Sequence, residues 1–159
     1  MKEGIGTTFN LSLLFYFMLL VAGFALFGTN YYRAFLVKNK MITLIEQYEA
    51  NFTNIAFKEK REETINKVGY RKNAPLTQDS LISEGWNCPN EEGWCYKLDK
   101  QNYNENNSTE VKCVYQVKTF VSTDIPVINR LFSSFKFFEV NGVTKEIRRR
   151  DGCSKWKKE

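Results

Sequence analysis

Apolar and polar positions divide this chain into two unlike parts. Residues 9–27, FNLSLLFYFMLLVAGFALF, form a strongly apolar stretch nineteen residues long, and no charged side chain occurs between Glu3 and Arg33. As a helix rising about 1.5 Å per residue the run covers about 28 Å, close to the hydrocarbon thickness of a bilayer. A secretory signal core is usually only about 7 to 15 residues long. The nearest small-x-small site, Gly23-Phe24-Ala25, lies inside the run. The pattern therefore predicts a short segment over residues 1–8 and a retained transmembrane helix over residues 9–32. Within that helix Ala22, Gly23, Ala25 and Gly28 offer a small-residue surface, the kind that lets helices approach closely in lipid.

Past the run, Met41, Ile45, Tyr48, Phe52 and Ile55 recur at helical spacing and place one apolar stripe on a helix. No proline or glycine lies between Thr29 and Val68, so the helix is expected to continue as an amphipathic stalk over residues 33–68. A weaker pattern of Phe57, Arg61, Ile65 and Val68 leads to Gly69, a helix stop. Residues 69–159 then read as a small sheet domain. WCYKLDK and TEVKCVYQVKTFVS alternate apolar with polar positions and are rich in strand formers, and QNYNENNS between them is a turn by composition, so the two make a hairpin. Thr123 or Asp124 is expected to cap a short helix with Pro126 in its first turn and Ile128, Leu131 and Phe132 inward. Strands follow over residues 135–140 and 143–147, joined at Asn141-Gly142 by a tight hairpin turn. The expected fold class is α+β, a long amino-terminal helix followed by a small antiparallel sheet.

Mean hydropathy is −0.43 despite the apolar run, so the remainder is built for water. All four cysteines, Cys88, Cys95, Cys113 and Cys153, lie in that part, and an even number beyond a membrane anchor reads as disulfides formed in an oxidising place. Three pairings are open. The favoured one closes CPNEEGWC through Cys88 and Cys95 and ties the tail to a strand through Cys113 and Cys153, and free buried thiols are the alternative. The cysteines put the domain outside the cell membrane. The bias of positive charge points the other way, since Arg33, Lys38 and Lys40 follow the span and only Lys2 and the terminal amine precede it.

The chain has no histidine, which removes the usual general base and the commonest metal ligand. It has no nucleophile elbow and no Walker loop, and Gly4-Ile5-Gly6 precedes a membrane run instead of a phosphate-binding helix. The acidic pairs Glu62-Glu63 and Glu91-Glu92 read as solvated side chains. No enzyme activity, cofactor or metal is expected. The sequons at Asn51 and Asn107 matter only in a eukaryotic secretory pathway. Over residues 145–159, seven basic against three acidic residues leave four of the chain's five net positive charges. Arg148, Arg149, Arg150, Lys155, Lys157 and Lys158, with Trp156 among them, are the candidates for contact with an anionic surface such as lipid, cell-wall polymer or DNA. A solvated tail is the plainer account of them, and nucleic acid is not the expected partner.

The span continuing into an amphipathic helix, followed by a small sheet, resembles a type IV pilin or pseudopilin. More narrowly, VKTFVSTDIPVINRLFSSFKFFEVNGVTKEI resembles the carboxy-terminal part of TadE-like minor pilins of tight-adherence pilus systems in Gram-positive bacteria. Pro126, Val127, Ile128, Gly142, Thr144 and Lys145 carry the likeness. It departs from the pilin pattern at the amino terminus. Prepilins have a glutamate five residues after the processed glycine, whereas Phe9 follows Gly4 and Leu11 follows Gly6 at that distance. The resemblance implies an accessory subunit of a surface pilus or secretion-type assembly, with membrane lipid and other pilin-like subunits as partners of its amino-terminal helix. A static single-pass surface protein with a small binding domain is the alternative, and an inward-facing domain with reduced cysteines is the third reading.

Overall fold

A computed structural model describes residues 2–70, 78–89, 92–103, 110–122, 137–150 and 152–153. Helix α1 (Lys2–Gln47) is followed by α2 (Ile55–Val68), a short α3 (Gln78–Ser83) and four strands: β1 (Trp94–Tyr103), β2 (Val111–Ser122), β3 (Phe137–Val143) and β4 (Ile147–Arg149). The fold is α+β, a long apolar helix followed by a small antiparallel sheet. Its 46 residues make α1 about 69 Å long.

The expected unbroken stalk over residues 33–68 is instead two helices that double back. Helix α1 stops at Gln47 in a Schellman motif, where Glu49 N–H donates to Glu46 O and Ala50 N–H to Ile45 O, at 3.2 and 2.8 Å. Glu49 and Ala50 are both left-handed, with φ of 49° and 55°. No glycine marks this stop. The strain of about 1 to 3 kcal/mol per residue is offset by what the reversal buries, namely Ala50, Phe52 and the inner side of α2. Asn54 caps α2, its Oδ1 accepting from Ala56 N–H at 2.9 Å. The same motif ends α2, with Gly69 in the left-handed position at φ 65° and Tyr70 N–H donating to Ile65 O. Arg33 Nη1 lies 3.5 Å from Gly69 O, so α2 returns to the level of Arg33 on α1. Of the stripe read from the sequence, Met41, Ile45 and Phe52 are buried, whereas Ile55 opens α2 and is 73% exposed.

Strand β2 lies at the centre of the sheet, with β1 on one side and β3 and β4 both on the other. Its residues Val111, Cys113, Tyr115, Val117, Thr119 and Val121 face the core, a period of two over eleven residues. Ala34, Val37, Met41, Leu44 and Ile45 of α1 supply the opposite wall. A buried contact fixes the two layers, since Thr119 Oγ1 donates to the Ala34 carbonyl at 3.0 Å. The other sheet face carries a smaller cluster of Leu81, Trp86, Cys95 and Phe120, and Lys118 lies 4.5 Å from the Trp86 ring while pairing with Glu139 at 2.8 Å. The hairpin of β1 and β2 is the expected one, except that Gln101, Asn102 and Tyr103 extend β1.

Asn141-Gly142 is not a turn. Strand β3 runs straight through it, pairing Lys118 with Asn141 and Val117 with Gly142. Glycine is there for a close approach, because a Cβ at Gly142 would stand 2.7 Å from Ile42 Cδ1 and 3.0 Å from Lys38 Cδ on α1. Strand β4 continues along the same side of β2 after a bulge, in which Thr144, Lys145 and Glu146 lie between the pairs Val143–Gln116 and Ile147–Cys113. Thr144 N–H donates to Tyr115 O at 2.9 Å, Thr144 Oγ1 accepts from Tyr115 N–H at 3.0 Å, and Glu46 Oε1 accepts from Lys145 N–H at 2.8 Å. Side chains thus take up the groups that an interrupted ladder would orphan. The short helix expected at Pro126 lies outside the described residues.

Candidate membrane and assembly surface

The fold divides α1 into two halves of opposite character. Its carboxy-terminal half is core. The stretch from Thr8 onward has an 18-residue window with a mean hydropathy of 2.3, and none of that window is buried within the chain. Phe9, Leu11, Leu13, Leu14, Phe15, Phe17 and Phe24 are each more than half exposed. In water that surface would carry a large transfer cost at about 25 cal/mol per Å2, so the half is built for an apolar surrounding. One long apolar helix of this kind fits a membrane span.

On this half the structure places Ala22, Ala25 and Gly28 at successive steps of three on an exposed face, with Gly23 beside them. A Cβ built at Gly28 meets nothing within 4 Å. Thr29 does not demand a partner for its hydroxyl, which donates to the Ala25 carbonyl one turn back at 2.9 Å. The bare surface ends at Phe27, whose ring meets Phe138 of β3 edge to face at 5.1 Å between centroids. No apolar spacing along the chain signals that contact, because its partners are 111 positions apart.

The cysteines form two bonds, Cys88–Cys95 and Cys113–Cys153, the favoured pairing. The second closes a separation of 40 residues and holds the end of the described chain against β2. In the chain-entropy account that link is worth about 4 kcal/mol and the seven-residue link about 2 kcal/mol.

The basic candidates sit at the other end of the domain. Arg149 Nη1 donates to the Ala50 carbonyl at 3.2 Å, and Arg148 and Arg150 are exposed. Gln47, where α1 ends, is twenty residues and about 30 Å beyond Phe27. These arginines therefore stand far from the bare half of α1. Beside them Lys112 pairs with Glu146 at 2.8 Å, and the Lys112 hydrogen bond and charge hold the Glu146 carboxyl below its ordinary range. Lys155, Lys157 and Lys158 lie outside the described residues.

Sequence reasoning missed a buried polar and aromatic group between the helices and β1. Tyr70 OH accepts from Phe120 N–H at 2.9 Å and has its one proton to share between the carbonyls of Gly93 and Phe120. Strand β1 begins opposite Thr119, so this hydroxyl completes the ladder one residue past the strand's start. Burial pushes the Tyr70 phenol up to about 12. Burial likewise raises the Tyr96 phenol, helped by neighbouring Tyr115. Glu92 accepts from Arg61 and from Trp94 Nε1, each at 2.8 Å. Phe52 stacks on Tyr96 at 4.2 Å and meets Phe57 and Tyr115 edge to face. The group holds α2 and the turn between the helices to the sheet, although Tyr96 Oη and Arg61 Nε are buried without a hydrogen-bond partner among the described residues. Phe52, Phe57 and Arg61 lay in the helical patterns of the sequence, whereas the bonds of Tyr70 and Glu92 left no trace there. Among the described residues no three His, Cys, Asp or Glu side chains converge to hold a metal ion. No protein-family model, curated protein or solved structure matches the chain.

Proposed function

We propose that this chain is an accessory pilin-like subunit of a surface assembly, anchored in the cell membrane by α1 and carrying its disulfide-linked sheet domain outside. The supporting observation is the division of one unbroken helix into a half that forms the domain core and a half whose apolar window is left bare by the described residues. A helix embedded in its own domain transmits position along its length, so subunits packed through the bare halves hold their sheet domains in a fixed order. Ala22, Ala25 and Gly28 provide the close-approach face for such packing, and van der Waals contact drives helix association where lipid tails are as apolar as the side chains. The two disulfides support an oxidising surrounding for the domain. Arg148 and Arg150, at the end remote from the anchor, face the medium in this arrangement, while Arg149 is tied to Ala50.

A static single-pass surface protein is the second reading, favoured by Phe9 and Leu11 where prepilins have glutamate. Gly23→Leu and Ala25→Leu separate the two. Both substitutions add apolar area and keep membrane insertion, and in an assembling subunit both lower crosslinking to neighbouring subunits severalfold. Crosslinking equal to the parent in both variants would leave α1 as an anchor only.

A further inference from the structure

The sheet domain is joined to the apolar half of α1 without a spacer, and that fixes its height above a membrane. Glu3 and Arg33 bound the charge-free stretch. With Glu3 at one face of a hydrocarbon core of about 30 Å, the far face falls about twenty residues on, near Gly23, and Phe27 stands about 6 Å beyond it. With Arg33 at the far face, Phe27 lies about 9 Å inside. The interfacial layer is about 5 to 8 Å deep on each side, so Phe27 reaches the bilayer in both placements.

Phe138 is in ring contact with Phe27 and 37% exposed. The remainder of β3 and β4 climbs along α1 away from that point. Gly142 lies against Lys38 and Ile42, Lys145 bonds Glu46, and Arg149 bonds Ala50. Around the same level α1 presents Tyr31, Tyr32 and Phe35, exposed to 46%, 60% and 39%, with Lys38 Nζ 4.4 Å from the Phe35 ring centroid and Arg33 among them. Aromatic rings with basic residues just above them are the composition of a membrane–water interface.

We infer that the folded domain itself sits on the bilayer, with Phe138 at the start of β3 inserted among the lipid headgroups beside the aromatic collar of α1. The occupant of this surface is the headgroup layer of the anchoring membrane. The inference rests on the membrane-anchor reading of α1 and adds that the sheet is held against the membrane, not raised on a stalk.

The test uses the full chain reconstituted in phosphatidylcholine and phosphatidylglycerol vesicles containing lipid with a nitroxide at acyl carbon 5. Single tryptophans are added at Leu19, Phe138 and Val143, and the parent's own tryptophan signal is subtracted. Val143 lies five strand residues from Phe138, about 16 Å higher, and is 54% exposed. The expected result is that the added signals of Leu19→Trp and Phe138→Trp are quenched at least twofold while that of Val143→Trp is unchanged. Quenching of Leu19→Trp with Phe138→Trp no more quenched than Val143→Trp overturns the seated domain and leaves the span intact. Absence of quenching at Leu19→Trp overturns both. Paramagnetic broadening of the Phe138 and Val143 amide resonances in the unsubstituted protein gives the same comparison without perturbing the fold, and broadening equal at the two positions counts against the inference.

Discussion

Gly142 separates two physical accounts of the same residue. A tight turn needs glycine for a left-handed backbone, whereas a helix crossing closely over a strand needs it for the missing Cβ. In this fold a Cβ would fall 2.7 Å from Ile42 Cδ1 and 3.0 and 3.2 Å from Lys38 Cδ and Cε. All three atoms belong to side chains that can yield by a few tenths of an ångström. Gly142→Ala therefore costs at most about 1 kcal/mol, since the smaller entropy of the unfolded chain returns about 0.4 to 1 kcal/mol. Gly142→Val adds two further methyl groups against the helix and costs about 1 to 3 kcal/mol. Ile42→Val removes the very atom in the way, at about 0.5 to 1.5 kcal/mol by itself. In the double variant part of the Gly142→Val cost is recovered, a coupling of about 1 kcal/mol within the range for side chains in contact. The assay is urea unfolding of the full chain in detergent micelles, read by the fluorescence of Trp86 and Trp94, which are 8% and 0% exposed. Strict additivity of the two substitutions, or a Gly142→Val midpoint equal to the parent, would refute the close approach.

Three further outcomes follow from the buried groups and the cysteines. Tyr70→Phe leaves Phe120 N–H without the oxygen that receives it and costs about 1 to 3 kcal/mol in the same urea assay, while a parent-like midpoint would show that the hydroxyl adds nothing. The Tyr70 phenol is raised from 10.0 to about 12 in the folded chain, so its contribution is whole below pH 10 and is lost as pH rises through 12. Tyr96 is raised in the same direction, so the unfolding midpoint measured from pH 9 to 12 falls over the upper part of that range, and a flat profile would contradict the burial of both phenols. A membrane-impermeant thiol reagent applied to intact cells labels nothing before mild reduction and labels cysteine after it; four thiols that react without reductant, and only after lysis, would place the domain inside.

Much of this fold was legible because its signals are local. The nineteen-residue apolar run, the alternation in β1 and β2, and Gly69 at the end of α2 each rest on residues next to one another in sequence. Two stops of identical geometry show where legibility ended. Gly69 announces its Schellman motif, whereas Glu49 and Ala50 adopt theirs because tertiary packing on Phe52 and α2 outweighs a backbone preference. Asn141-Gly142 misled for the converse reason, since a dipeptide that favours a turn also suits a strand pressed against a helix. The bulge at Thr144 was hidden as well, because its hydrogen bonds use Glu46 and Tyr115, 29 residues and more away. Of the candidate surface, the paired cysteines were readable and the exposed small residues of α1 lie close together in sequence, while the contact of Phe27 with Phe138 depends on the whole chain being folded.

Shearing intact cells tests whether the bare half of α1 joins subunits in a surface assembly. The sheared material and the washed membranes are separated, and the chain is quantified in each alongside a polytopic membrane protein. For an assembling subunit, part of the chain leaves with the sheared fraction as a high-mass complex that dissociates in strong detergent, and Gly23→Leu and Ala25→Leu keep it in the membrane. Complete retention of the parent chain in the membrane fraction, as a monomer in mild detergent, would contradict assembly.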